Sequence, residues 1–125
     1  MPKKNLDFEI NFLEGLLERS PLFFEAMAAL ADLYTKRGFY DLGLSLDRKL
    51  AYIRPDDPLV HYNLACSLSL VSHIKSACCM LKKAINFGYR DIEHMKKDKD
   101  LDNLKKDKCF SVCLERISRK TKEKV

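Results

Sequence analysis

Glycine and proline are scarce in this chain of 125 residues, with four of each, and its apolar residues come as Leu, Ala, Phe and Met rather than Val and Thr. That balance favours helices over strands. Long apolar runs are missing too. None approaches the roughly 18 residues of a bilayer span, and the start MPKKNLDFEI lacks the apolar stretch of roughly 7 to 15 residues found in export leaders. Neither membrane insertion nor export is expected. The five cysteines are an odd number, and without a leader they read as reduced thiols of a cytoplasmic protein, packed as small hydrophobes.

Signatures of catalysis are absent as well. The strings GxxxxGKS, GxxxxGKT, GxGxxG, GxSxG and HExxH do not occur, which removes the common nucleotide-binding and hydrolase patterns. Cys109 and Cys113 stand one helical turn apart and Cys78 and Cys79 are adjacent, so neither pair has the CxxC spacing of a zinc knuckle. His61, His73 and His94 belong to no motif with Asp or Ser that spells a catalytic arrangement. No enzyme activity, metal or cofactor is expected.

What the chain does contain is a core and a charge imbalance. At 46% hydrophobic it suits one compact domain, expected over residues 1–119, with a basic and frayed tail at 120–125 that lacks apolar partners. Residues 1–95 are balanced, with 12 basic and 12 acidic side chains, and residues 96–125, with 11 basic and 6 acidic, carry the whole net charge of +5. Such a segment is either a solvated surface or a contact for an acidic partner or nucleic acid. Against nucleic acid, Asp98, Asp100, Asp102 and Asp107 would repel phosphates, and no basic helix is free of interleaved acids.

The central feature is a repeat. Pro21 and Pro55 lie 34 positions apart, each closing an apolar helical pattern. With Pro55 closing a unit, residues 24–57 and 58–91 form two successive units. In the first, Met27, Leu30, Ala31 and Tyr34 are followed by Gly43, Asp47 and Pro55. In the second, His61, Leu64, Ala65 and Leu68 are followed by Ala77, Leu81 and Tyr89. Leu30, Ala31 and Tyr34 share one helical face, as do Leu64, Ala65 and Leu68, and small residues in each unit let paired helices approach closely. Gly38 can end the first helix in a left-handed conformation, and Ser72 occupies that place in the second unit, where the turn should be less ideal.

On these residues the chain resembles the tetratricopeptide repeat (TPR) family. The resemblance implies an all-α fold, a short right-handed α-solenoid of antiparallel helix hairpins with a closing C-terminal helical cap. It also implies a half repeat at 7–23, repeats at 24–57 and 58–91, and a cap at 92–118. Helices are expected near 7–19, 24–37, 40–53, 58–71 and 74–87, with Asp7 as N-cap of the first. Leu101, Leu104, Phe110, Cys113, Leu114 and Ile117 should cover the exposed face of the second unit. Asp47 and His61 replace aromatics in facing slots, so the two are candidates to meet.

Repeats of this family mostly bind other proteins, so a protein or peptide partner on the concave face is the expected function, as a scaffold or adaptor. Binding of an acidic surface or nucleic acid through the C-terminal segment, or self-association into a homo-oligomer, is the alternative. The inward strip of first-helix positions is Glu25, Ala28, Asp32 and Lys36, then Leu59, Tyr62, Cys66 and Leu70, with Asn63 beside it. Some relatives grip a peptide carboxylate with Lys and Asn at such places. Here only Asn63 fits, so that clamp is not expected. Tyr62 and Leu70 either form an exposed docking strip or lie under the N-terminal or closing helix.

Overall fold

The computed structural model describes residues 2–123, with side chains from Phe8 to Lys122. Every element in that span is helical: α1 (Pro2–Arg19), α2 (Phe24–Lys36), α3 (Tyr40–Ile53), α4 (Pro58–Leu70), α5 (Ile74–Asn86), α6 (Ile92–Lys97), a 3-10 turn (Lys99–Leu101), α7 (Asp102–Lys105) and α8 (Lys108–Glu123). Helix α2 pairs with α3 and α4 with α5, α3 stacks on α4, α1 packs on α2, and the elements after α5 close the far end. Two boundaries differ from expectation. Helix α1 starts at Pro2, so Asp7 lies inside it rather than at its cap, and the Asp7 side chain falls outside the described residues. Helix α8 runs through Glu123, past the point where fraying was expected, and residues 124 and 125 lie outside the described residues.

The hairpin turns show the repeat at backbone level. Gly38 has φ 87°, and the Phe39 N–H donates to the Tyr34 carbonyl at 2.8 Å while the Gly38 N–H donates to that of Thr35 at 3.1 Å. Carbonyls left over at the end of α2 are thereby satisfied. One repeat later, Ser72 makes the same turn at φ 64°, with the His73 N–H on the Leu68 carbonyl at 2.9 Å. A side chain in that conformation costs about 1 kcal/mol or more. Helix α4 begins on a better signal, since the Asp57 carboxylate accepts from the Leu59 and Val60 N–H groups at 2.9 and 3.2 Å, and Pro58 fills the first helical position.

Gly43 lets α3 approach α2 closely. A Cβ at that position would lie 2.6 Å from Thr35 Oγ1 and 3.3 Å from the Ala31 carbonyl oxygen. Ala77 is fully buried at the corresponding place of the second hairpin. The closing segment then covers the open face of α4 and α5 as expected: Leu101, Leu104, Cys113 and Ile117 are fully buried, Phe110 is buried and Leu114 partly so. Full burial of Leu101, Leu104 and Ile117 stabilises by about 1.5–3 kcal/mol each before entropy is counted, which makes the cap part of the core rather than an appendage. Polar stitches hold it in register. Asn103 Nδ2 donates to the Ser69 carbonyl at 2.9 Å, and the Leu104 N–H donates to Ser69 Oγ at 3.1 Å.

Two expectations are corrected here. Cys78 and Cys109 are joined in a disulfide across Cα atoms 6.1 Å apart, tying α5 to α8, so only Cys66, Cys79 and Cys113 are free thiols. The spacing of these two residues, 31 apart in sequence, gave no hint of it. The contact between Asp47 and His61 does not form. Asp47 instead accepts from the Ser67 hydroxyl one hairpin away, while His61 Nε2 lies 2.5 Å from the Pro55 carbonyl oxygen and the ring stacks on Phe87 at 5.4 Å. The serine supplies a donor within reach of the buried carboxylate, and the imidazole finds its acceptor in the loop before α4.

Candidate functional site

Helices α2 and α4, the first of each hairpin, face the closing segment across a cavity of about 250 Å³. Of the expected binding residues, Ala28, Asp32, Tyr62, Asn63 and Cys66 line it, together with Thr35, Asp47, Ser67, His94, Asp98 and Asp100. The others stand apart. Glu25 is exposed on α2, Lys36 is exposed and pairs with Asp32 at 2.8 Å, Leu59 is 58% exposed at the start of α4, and Leu70 is half-buried at its end.

Tyr62 and Cys66 do not form an exposed docking strip. Tyr62 is 2% exposed, its ring stacked on Tyr89 at 4.3 Å and tilted against His94 at 5.6 Å. Its hydroxyl donates to Asp98 Oδ2 at 2.7 Å, and the Cys66 thiol donates to the same oxygen at 3.6 Å. Burial pushes the Tyr62 phenol up, so it remains a neutral donor. The closing segment therefore places Tyr62 and Cys66 of the expected strip on the floor of the cavity, and Leu59 and Leu70 stay outside it.

Asp98 organises that closure. Its Oδ1 accepts the Asp100 N–H at 3.0 Å and so caps the 3-10 turn, while Oδ2 holds Tyr62 and Cys66 and lies 3.3 Å from His94 Nε2. Lys105 Nζ donates to the carbonyls of Lys96 and Asp98 at 2.8 and 2.9 Å, so one basic side chain of the C-terminal segment serves the cap itself. Neither role was visible in advance. The only sequence signal was the run Asp98-Lys99-Asp100, which has the form of a helix cap.

Four carboxylates, Asp32, Asp47, Asp98 and Asp100, line the cavity, and of these Asp32 is paired with Lys36. Burial pushes the Asp47 carboxyl up to about 6 against the Ser67 hydrogen bond, with Asp32 adding to the rise. Asp100 is raised by burial, then by Asp98, Asp32 and Asp102. No Lys or Arg lines this space. Among the described residues no group of three or more His, Cys, Asp or Glu is arranged to hold a metal ion. Asn63 and Thr35 also line the space, the Thr35 hydroxyl donating to the Ala31 carbonyl at 3.0 Å.

No protein-family model matches the chain. Its backbone is similar to the crystal structure of MamA, with a TM-score of 0.73 at 18% identity, covering 93% of this chain and 68% of that one. The fold is a TPR-like helical solenoid. A second MamA structure, residues 41 to the end from Desulfovibrio magneticus RS-1, aligns with a TM-score of 0.69 at 16% identity over 95% of this chain and 70% of that one. In sequence, the chain is 27% identical over 87 residues to a chloroplastic protein of Arabidopsis thaliana; the match takes in 67% of this chain. It spans 26% of the length of that plant protein. Among the described residues no helix is long and apolar enough to cross a membrane.

Proposed function

We propose that the chain is a protein-interaction module whose concave cavity receives a positively charged side chain, Lys or Arg, from a partner segment. The observation that carries this reading is Asp47, 5% exposed, lining a cavity whose other carboxylates are Asp32, Asp98 and Asp100 and whose walls hold no Lys or Arg. A buried carboxylate with a hydroxyl as its hydrogen-bond donor and a second carboxylate nearby is an unfavourable arrangement that an incoming cation relieves. The likeness in fold to TPR-like solenoids supports a protein partner.

Within this reading Asp32, Asn63 and Asp100 meet the ligand, Ala28 leaves room for its stem, and Tyr62 and Cys66 form the floor. The test uses a short unstructured peptide carrying one arginine and its twin carrying neutral citrulline, followed by fluorescence anisotropy. The arginine peptide should bind more tightly by about tenfold, and Asp32→Asn and Asp100→Asn should each weaken it by about threefold to tenfold. Equal binding of the two peptides would falsify the proposal.

A further inference from the structure

On the opposite side of the solenoid the second helices leave an unpartnered groove of different chemistry. Two cavities, of about 560 and 440 Å³, meet along α3, where Arg48 and Tyr52 line both. Tyr52 is 88% exposed, an unusual position for an aromatic on a helix whose other face is packed, and Leu22 beside it is 76% exposed. Ile53 completes the apolar strip, and Phe87, 44% exposed, stands at its far end. The charged side chains along the strip are mostly of one sign: Arg48, Lys49 and Lys83 against Asp56. His61 lines the larger cavity with its Nδ1 buried and without a hydrogen-bond partner, an acceptor left open because Nε2 is spent on the Pro55 carbonyl.

We infer that this groove is a second interaction surface, and that it takes an acidic amphipathic segment of a partner protein. Apolar side chains of that segment would seat against Leu22, Tyr52 and Ile53, and its carboxylates would fall on Arg48, Lys49 and Lys83. An apolar strip flanked by cations selects both features together. A purely apolar segment leaves the cations unmatched, and a purely acidic one leaves Tyr52 in water. The concave cavity is lined by carboxylates instead, so the two faces discriminate between ligands by charge.

The test uses three short synthetic peptides: one with Leu and Phe at i, i+4 spacing among Glu and Asp, a second with the acids replaced by Lys, and a third with the Leu and Phe replaced by Ala. The first should bind at least about tenfold more tightly than either of the others, with amide shifts at Leu22, Tyr52 and Phe87. Tyr52→Ala and Arg48→Glu, each shown by circular dichroism to keep its helicity, should each weaken the first peptide by about tenfold or more. Asp100→Asn, which bears on the concave cavity, should leave this binding unchanged. Equal binding of the acidic and lysine peptides, an unaffected Tyr52→Ala variant, or shifts confined to Asp32 and Asn63 would overturn the inference. So would a second copy of the chain on the groove, seen as self-association without peptide that Tyr52→Ala abolishes.

Discussion

Replacing Asp47 by Asn should stabilise the protein at neutral pH and not at acid pH. The folded carboxyl titrates at about 6 against an ordinary value of 3.8, chiefly because it is buried, so its charge is held at a cost. At about 1.4 kcal/mol per pH unit, that difference sets an upper limit of about 3 kcal/mol. The direction follows from proton linkage. Below about pH 3.8 both folded and unfolded chains carry the proton and nothing is lost. Between there and about pH 6 only the folded chain keeps it, so stability falls as pH rises, and above that the full penalty stands. Asn resembles the protonated acid in shape and can still accept from Ser67. In urea melts the variant should gain about 1–3 kcal/mol over the parent near pH 7.5, or roughly 4 °C in Tm per kcal/mol, and stay within about 0.5 kcal/mol of it near pH 4. Asp100, shifted in the same direction, should leave a residual slope in the variant. An equal loss of stability at both pH values would refute the reasoning, because it would mean that Asn disturbs packing and that no charge penalty existed.

Other variants probe the turns, the cap and the crosslink. Ser72→Gly removes the strain of φ 64° and should raise stability by about 0.5–1 kcal/mol in the same melts; a loss would mean that the serine side chain contributes more than its backbone costs. Asp98→Ala removes the cap of the 3-10 turn and strands the Tyr62 hydroxyl, and should cost about 2–4 kcal/mol with increased amide exchange across residues 98–105, whereas unchanged exchange would contradict the role given to Asp98. Reducing the Cys78–Cys109 disulfide, whose ends are 31 residues apart, should cost about 3–4 kcal/mol by the chain-entropy estimate, and a Cys78→Ser, Cys109→Ser double variant should be indifferent to added dithiol. The arginine peptide should bind more tightly as pH rises from about 5 to about 7, as Asp47 loses its proton; a flat profile would place the bound cation elsewhere.

The repeat was legible because its determinants are local. The register of Pro21 and Pro55, the Leu-Ala pairs on α2 and α4, and the turn at Gly38 are set by residues within one hairpin, and each appears in the structure where periodicity puts it. Part of the cavity lining was legible, since inward positions such as Asp32 and Asn63 follow from helical spacing alone. What escaped depends on contacts between distant segments. That Tyr62 is covered follows from Asp98, 36 positions away, and the Ser67 partner of Asp47 comes from a different hairpin. A helix apolar on more than one face, as α4 is, does not reveal from its own sequence which neighbour arrives. The disulfide likewise joins helices whose relative placement only the closed solenoid determines.

The most direct test of the concave cavity as a cation receptor is an amide-resolved NMR titration of the protein with the arginine peptide and its citrulline twin. Shifts present only with arginine and centred on Asp32, Asn63 and Asp100 are expected, and in Asp100→Asn they should need about threefold to tenfold more peptide to reach half their size. Identical shift patterns for the two peptides, or arginine-dependent shifts that leave those three residues untouched, would contradict it.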